Sequence, residues 1–183
     1  MAVASPEGFI YRPDFLSNEE EEELVREIRT IEFADVKMRG QVARRRVTHF
    51  GWLYNYDSWK IEPGPLLPQF LIPLKERGAA LAQIEADQLA EALITEYPPG
   101  AGIGWHRDAP AFGIVVGVSL RSACPFRLRK GAGASEYTQV MIEPRSAYIL
   151  RDEARSKWQH SIPPTKALRY SITFRALRSG KAG

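Results

Sequence analysis

LRYSITFRA, residues 168–176, alternates apolar and polar side chains over nine positions. This period-two pattern predicts a β-strand whose two faces differ in chemistry. Four side chains share its polar face: Arg169, Ser171, Thr173 and Arg175. If this face turns inward, its two guanidinium groups need an anionic partner, because an unpaired buried charge is very costly. A dicarboxylate ligand would supply that partner by bidentate pairing; the alternative is a strand face exposed to solvent.

Several other short segments of the second half also have the character of strands. They lie between clusters of proline and glycine: Leu89–Tyr97, Gly113–Leu120, Phe126–Arg129, Thr138–Ile142 and Ala147–Leu150. Short strands at this spacing, separated by turn residues, are typical of an antiparallel sandwich or jelly roll. Further upstream, the residues from Val47 to Tyr56 predict a strand or a hairpin ahead of that core.

The first half of the chain predicts helices. Ser17 and Glu20 form a capping-box pattern, which predicts a helix running to about Thr30. A second helix is expected within 66–84, beyond Pro73. Helices followed by a strand-rich half predict one α+β domain over residues 1–183. In this division, residues 1–88 hold the helices and residues 89–183 form the sheet-rich core.

The composition is that of an ordinary globular domain, with 44% hydrophobic and 26% charged residues among 183. No run of eighteen apolar residues occurs, and residues 1–8 lack a secretory pattern, so neither a membrane span nor a signal peptide is expected. Cys124 is the only cysteine, which favours a reducing cytoplasm. A net charge of +3 permits nucleic-acid binding without demonstrating it. We expect a monomer.

Three histidines occur in the chain: His49, His106 and His160. His106 and Asp108 are two residues apart, so in extended chain both side chains project to one face and can hold one ion. His160 can complete the set from another strand. Two imidazoles and one carboxylate leave three octahedral positions open, as a non-haem iron(II) oxygenase requires for co-substrate and oxygen. Alone, a His-x-Asp pair is a weak signal that also occurs without any metal.

Three other side chains near these motifs are expected to have packing roles. Because two histidines suffice for the ion, His49 is interpreted as a surface or packing residue. Trp105 and Trp158 adjoin or nearly adjoin the proposed ligands in sequence and are expected to orient them.

The order of these motifs resembles the AlkB-like family of 2-oxoglutarate-dependent dioxygenases. The shared motifs are Tyr97-Pro98-Pro99-Gly100, His106-x-Asp108, His160, and Arg169 followed by Arg175. The resemblance is strong from Leu93 to Leu177 and looser for the earlier part from Phe9. It implies a double-stranded β-helix (jelly-roll) core with N-terminal helices packed against it. It also implies one Fe(II) held by His106, Asp108 and His160.

The resemblance further assigns a site for 2-oxoglutarate, with O2 as second co-substrate. Arg169 and Tyr97 would bind the distal carboxylate of 2-oxoglutarate, and Arg175 would lie near its iron-chelating end. Thr95 and Ser171 stand where AlkB-like proteins often have asparagine. Both side chains can hydrogen-bond, though with shorter reach, so we expect co-substrate binding with altered fine geometry.

Members of this family remove an alkyl group from a base nitrogen by hydroxylation, so the implied substrate is alkylated nucleic acid. Such enzymes need an aromatic-lined base pocket and cationic contacts to the backbone. Residues 44–56 resemble the family's substrate lid and supply both kinds of side chain: Arg44, Arg45, Arg46, Trp52, Tyr54 and Tyr56. This lid would belong to the N-terminal part, residues 1–88. The alternative is that the aromatics are core and the arginines a solvated edge.

The substrate within the family stays open between DNA, which we favour in a role in alkylation repair, and RNA. Residues 109–113 carry no carboxylate, although some members place one there to contact the damaged base. The pair Phe112-Gly113 also occurs in branches that modify transfer RNA. A tRNA- or protein-directed 2-oxoglutarate hydroxylase or demethylase is therefore the alternative. A non-catalytic nucleic-acid binder is a third interpretation, against which the triad and both arginines argue.

Overall fold

Two antiparallel sheets pack face to face in the computed structural model, which describes residues 5–179. The strands are, in chain order, β1 (Phe9–Arg12), β2 (Ala34–Met38), β3 (Gln41–Asn55), β4 (Lys60–Pro63), β5 (Leu89–Tyr97), β6 (Ile103–His106), β7 (Phe112–Leu120), β8 (Cys124–Lys130), β9 (Thr138–Ile142), β10 (Ser146–Leu150), β11 (Trp158–Ile162) and β12 (Arg169–Leu177). The α-helices are α1 (Asn18–Ile28), α2 (Ile72–Ala82) and α3 (Asp152–Ser156).

The larger sheet has the strand order β1-β10-β7-β12-β5-β3-β2, with β4 paired to β3. The smaller sheet has the order β6-β11-β8-β9. One apolar core lies between the sheets, where the ring of Phe126 packs against Tyr148 at a centroid distance of 4.8 Å. A second core lies between the larger sheet and helices α1 and α2. This arrangement confirms the predicted α+β fold with a jelly-roll core and N-terminal helices packed against it.

Helix α1 confirms the capping-box prediction. Ser17 Oγ accepts a hydrogen bond from the Glu20 amide at 3.1 Å, and the Glu20 carboxylate accepts one from the Ser17 amide at 2.8 Å. The helix ends at Ile28, slightly before the expected end. Helix α2 begins at Ile72, so Pro73 lies in its first turn, where a missing amide hydrogen costs nothing.

The six strands predicted in the second half are all present, with ends shifted by two residues or less. Strand β3 begins at Gln41, well before the predicted Val47, because a hairpin pairs it with β2. Arg39 and Gly40 form the two-residue connection, and both have positive φ angles of 49° and 77°. Positive φ at both positions is the geometry of a tight hairpin turn. The N-terminal residues therefore contribute strands to the larger sheet as well as helices.

The register between β5 and β12 sets the chemistry of the larger sheet's inner face. Arg169 lies opposite Tyr97, Ser171 opposite Thr95, and Arg175 opposite Glu91. Because alternate residues share a face, these polar side chains form one continuous patch that faces the smaller sheet.

Within residues 5–179, no helix is long and apolar enough to cross a membrane. The expectation about a secretory signal concerns residues 1–8, and the first four of these lie outside the described range.

Candidate active site

Three side chains converge at one mouth of the sandwich. His106 ends β6, His160 lies opposite it on β11, and Asp108 follows in the loop after β6. Asp108 Oδ1 lies 3.6 Å from His106 Nε2 and 3.4 Å from His160 Nε2, and one ligand atom from each residue lies within 4.8 Å of the others. Cross-strand pairing and a loop bring them together, rather than alternation along one strand. Two nitrogens and one oxygen at this separation fit a single iron(II) ion.

The local electrostatics keep these groups in their metal-binding forms. Burial lowers the pKa of His160 to about 4, and the neighbouring His106 adds to this effect. Burial raises the pKa of Asp108, but the Arg175 guanidinium and both imidazoles lower it, and the net pKa is well below the ordinary value. At neutral pH, His160 is therefore neutral and Asp108 is ionised. Since metal ligands must be deprotonated, both groups are ready to bind.

A backbone contact orients the remaining imidazole. His106 Nδ1 lies 2.8 Å from the Gly104 carbonyl oxygen. A carbonyl only accepts, so Nδ1 carries the hydrogen and Nε2 keeps its lone pair on the side of Asp108 and His160.

Arg155 holds the loop that carries Asp108, and sequence reasoning missed it. This side chain is 6% exposed, and its guanidinium donates to the carbonyl oxygens of Asp108, Ala109, Phe112 and Gly113 at 2.6–3.2 Å. Burial lowers the pKa of Arg155 to about 10, so it remains a cation at neutral pH. Its contacts join residues 42 to 47 positions apart, which no local pattern reveals. Arg155 therefore positions the loop without facing the cavity.

Arg175 links Asp108 to a second buried carboxylate. Its Nε donates to Asp108 Oδ2 at 2.8 Å, and its Nη1 donates to Glu91 Oε2 at 3.0 Å. The other oxygen of Glu91 lies 2.9 Å from Nδ1 of His49. His49 thus lines the cavity instead of serving only as a packing residue. Glu91 lies directly opposite Arg175 in the paired strands, so its role can be inferred once the strand register is known.

Arg169 is the most unusual buried group of the site. It is 0% exposed, its Nε donates to Ser119 Oγ at 2.9 Å, and its guanidinium carbon lies 5.1 Å from the ring centre of Tyr97. Its two terminal nitrogens have no hydrogen-bond partner among the described residues. A buried cation with two free donors calls for an anion, and the terminal carboxylate of 2-oxoglutarate fits this fork. Thr95 and Ser171, each 4% exposed, lie on the same face.

One cavity of about 720 Å³ joins the metal-binding group to Arg169. Eleven of the side chains proposed from the sequence line it: Arg45, Tyr54, Tyr56, Thr95, Tyr97, His106, Asp108, His160, Arg169, Ser171 and Arg175. Tyr54 and Tyr56 meet edge to face at a centroid distance of 4.9 Å, and Tyr56 is 68% exposed to solvent.

The other three proposed lid residues lie outside the cavity. Arg46 forms an ion pair with Glu96 at 2.6 Å, and Arg44 lies against Gly100, where an added Cβ would be 2.6 Å from its Nη1. Trp52 is 44% exposed and does not line the cavity. Successive side chains of β3 point to opposite faces, so Arg44 and Arg46 lie on the face opposite to Arg45. Of the three arginines, only Arg45 therefore lines the cavity.

The fold and this site define a non-haem iron(II) dioxygenase with a jelly-roll core. The family model of the 2OG-Fe(II) oxygenase superfamily matches residues 8–175, and the chain belongs to this family, in its AlkB-like part. It is a 2-oxoglutarate-dependent dioxygenase that uses Fe(II), 2-oxoglutarate and O2.

Two curated relatives and one solved structure illustrate the similarity. The chain is 32% identical to the probable RNA/DNA demethylase ALKBH6 of Danio rerio, with 86% of this chain and 70% of that protein covered. It is 31% identical to the tRNA (carboxymethyluridine(34)-5-O)-methyltransferase ALKBH8 of Mus musculus, with 89% of this chain covered but only 25% of that protein. The structure of OsALKBH1 superposes with a TM-score of 0.74 at 14% identity, covering 96% of this chain and all of that chain. That likeness shows the fold alone.

Proposed function

We propose that this dioxygenase oxidatively dealkylates damaged bases in nucleic acid, with DNA as the favoured substrate. In this proposal His106, Asp108 and His160 hold the iron, while Arg169 and Tyr97 bind the distal carboxylate of 2-oxoglutarate. Bound iron(II), with 2-oxoglutarate and O2, supplies the oxidation, and the protein supplies position and charge. Thr95 and Ser171 hydrogen-bond the co-substrate in this proposal, and Arg175, which donates to Asp108 Oδ2, fixes the orientation of that carboxylate.

One observation carries the substrate class. The cavity that holds the metal-binding group is also lined by the aromatic pair Tyr54 and Tyr56 and by the cationic side chain of Arg45. A flat base stacks on aromatic rings, and a neighbouring phosphate pairs with a guanidinium. Within residues 5–179, Arg45 has no carboxylate partner, and its hydrogen bonds go to the Gly102 carbonyl oxygen and Met38 Sδ. Its charge is therefore available to a phosphate.

RNA is the second candidate, and it rests on the relatives. One is named as a probable RNA/DNA demethylase and the other acts on tRNA by its name. The loop after Asp108 also lacks the carboxylate with which some relatives contact a damaged base. A cytoplasmic location and a monomeric state stay predictions from the sequence.

The experiment is a substrate panel read by mass spectrometry. The protein is incubated with Fe(II), ascorbate and 2-oxoglutarate and offered methylated and etheno-modified oligonucleotides, both as DNA and as RNA. We expect loss of the alkyl mass from at least one oligonucleotide, in step with succinate formation. The protein-directed alternative would be supported instead by a different outcome. In that outcome no oligonucleotide stimulates succinate formation, whereas a peptide or protein does so and itself gains one oxygen atom.

A further inference from the structure

A row of alternating cationic and aromatic side chains lies on the outer face of the smaller sheet. The guanidinium of Arg127 lies 5.2 Å from the ring centre of Tyr137, that ring lies 5.9 Å from Trp105, and Arg129 lies 4.5 Å from Trp105. On β8 the alternate residues Phe126 and Leu128 are buried between the sheets, so the arginines point outward. We call Arg127, Tyr137, Trp105 and Arg129 the Arg–aromatic row.

The positive charge of this row is uncompensated. Among residues 5–179, neither Arg127 nor Arg129 forms a salt bridge; their side chains donate to the neutral amide oxygens of Gln139 at 3.4 Å and Gln159 at 2.9 Å. Strands β6, β8, β9 and β11 contain no aspartate or glutamate at all. Elsewhere in the fold, arginines do find carboxylates, as Arg46 does with Glu96. If the arginines served only to pack against the aromatic rings, these four strands would have no reason to lack acidic residues.

The row is continuous with the cavity. Trp105 immediately precedes the proposed ligand His106 and lines the cavity, as does the exposed Arg107 beyond it. From Trp105 the row runs outward to Tyr137, which is 45% exposed. A chain whose reacting group enters the cavity can therefore extend onto this row without leaving the protein surface.

We propose that the Arg–aromatic row binds the strand that flanks the reacting base, and that this strand is single-stranded nucleic acid. Arg127 and Arg129 contact its phosphates, and Tyr137 stacks on a neighbouring base. Alternating cations and rings suit a polymer with one charge and one flat base per unit, and stacking requires bases that are not already paired. This inference rests on the proposed function and adds a second contact region to it, formed by residues other than Arg45.

The first test measures binding of a short single-stranded oligonucleotide over a salt series. The variant Arg127→Ala with Arg129→Ala is compared with Arg26→Ala plus Lys75→Ala, which removes the same charge from the helical side of the larger sheet. Each lost phosphate contact lowers the slope of log affinity against log salt by about 0.7 for single strands, so the row variant should lose about 1.4 and bind roughly 25-fold more weakly at 0.1 M salt. The helical-side variant should keep the wild-type slope. Equal slopes in the two variants would overturn the inference.

The second test separates stacking from charge. Tyr137→Phe keeps an aromatic ring and should bind like the wild type, whereas Tyr137→Ala should bind about 5-fold to 150-fold more weakly at every salt concentration. The melting temperature of each variant is measured alongside, so that a folding defect is recognised. If poly-glutamate competes as well as the oligonucleotide and Tyr137→Ala binds normally, the row is a site for acidic protein and the inference fails.

The outcomes distinguish this inference from the proposed function. If the wild-type protein oxidises modified oligonucleotides and the row variants bind them normally, only the proposal for the Arg–aromatic row is overturned. A wild-type protein that binds no oligonucleotide and oxidises none overturns the proposed function, and the row with it.

Discussion

Arg175 Nε donates a hydrogen bond to Asp108 Oδ2 at 2.8 Å, which ties the loop after β6 to the strand β12 of the opposite sheet. The same guanidinium holds the buried carboxylate of Glu91 at 3.0 Å. Two carboxylates buried near each other repel, and Arg175 is the cation that pairs with both of them. Burial lowers the pKa of Arg175, but these two carboxylates raise it above its usual value, so it is charged throughout the working pH range.

Replacing Arg175 with alanine should therefore destabilise the fold and weaken iron binding. Breaking a buried ion pair by removing one partner costs about 3–5 kcal/mol, because the other charge stays buried and unpaired. Urea denaturation measures this loss. Lys157→Ala serves as the control, since its pair with Glu153 is exposed and should be worth less than about 1 kcal/mol. Equal losses in the two variants would contradict the bridging role of Arg175.

The sequence predicts two members of this ion-pair chain, Asp108 and Arg175, but not the third, Glu91. Alternation in residues 168–176 placed Arg175 and Arg169 on one face, and the His-x-Asp motif marked Asp108. Glu91 lies in a strand that reads as apolar, so its partner is visible only through the register of β5 with β12. Arg155 is the stronger case, because its guanidinium contacts a loop more than forty residues away in sequence.

In the lid, residues 44–56, the position where strand β3 begins decides which arginines can face the cavity. The predicted strand began at Val47, which left Arg44, Arg45 and Arg46 as three equivalent cations. In the structure β3 begins at Gln41, and the pleat separates Arg45 from its two neighbours. The hairpin turn at Arg39-Gly40 causes this extension, and no turn was predicted at these two residues.

The second prediction concerns the unpaired donors of Arg169. Arg169→Met should leave the ligand-free protein as stable as the wild type or more stable, because it removes a buried charge that has no carboxylate partner in residues 5–179. The same variant should need more than roughly tenfold more 2-oxoglutarate, since loss of a desolvated charge pair costs about 2–5 kcal/mol. Thermal melting with and without 2-oxoglutarate checks both parts. A large loss of stability without ligand would show that Arg169 serves the fold and not the co-substrate.

The third prediction concerns the metal. His160→Ala and His106→Ala should each abolish iron-dependent succinate formation, because each removes one of three ligands. Far-ultraviolet circular dichroism checks that the sheets remain. His49→Ala is the matched control: it removes an imidazole that lines the cavity but lies outside the ligand group, so one iron per chain should still bind. Full activity in His160→Ala would show that the iron site lies elsewhere.

The fourth prediction concerns the clamp on the metal-binding loop. Arg155→Ala leaves several buried carbonyl oxygens without their donor, and each such group costs about 1–3 kcal/mol. We expect lower stability and weaker iron binding, with faster amide exchange in residues 108–113. Arg155→Lys keeps the charge but not the planar fork, so it should restore little. If Arg155→Ala loosened the fold without changing iron affinity, the residue would have a purely structural role.

The last prediction separates the arginines of the lid. Arg45 lines the cavity and is free of carboxylates among residues 5–179, whereas Arg46 is already paired with Glu96 at 2.6 Å. A guanidinium that is paired with a carboxylate attracts a phosphate only weakly, because the net charge of the pair is zero. Arg45→Ala should therefore lower the slope of log affinity against log salt by about 0.7 for oligonucleotide binding, while Arg46→Ala should leave this slope unchanged. Tyr56→Ala should instead weaken binding by about 1–3 kcal/mol at every salt concentration, because it removes a stacking surface and no charge. Fluorescence anisotropy with a labelled single strand measures all three. If Arg46→Ala flattened the slope as much as Arg45→Ala, the division of the lid by strand alternation would be wrong.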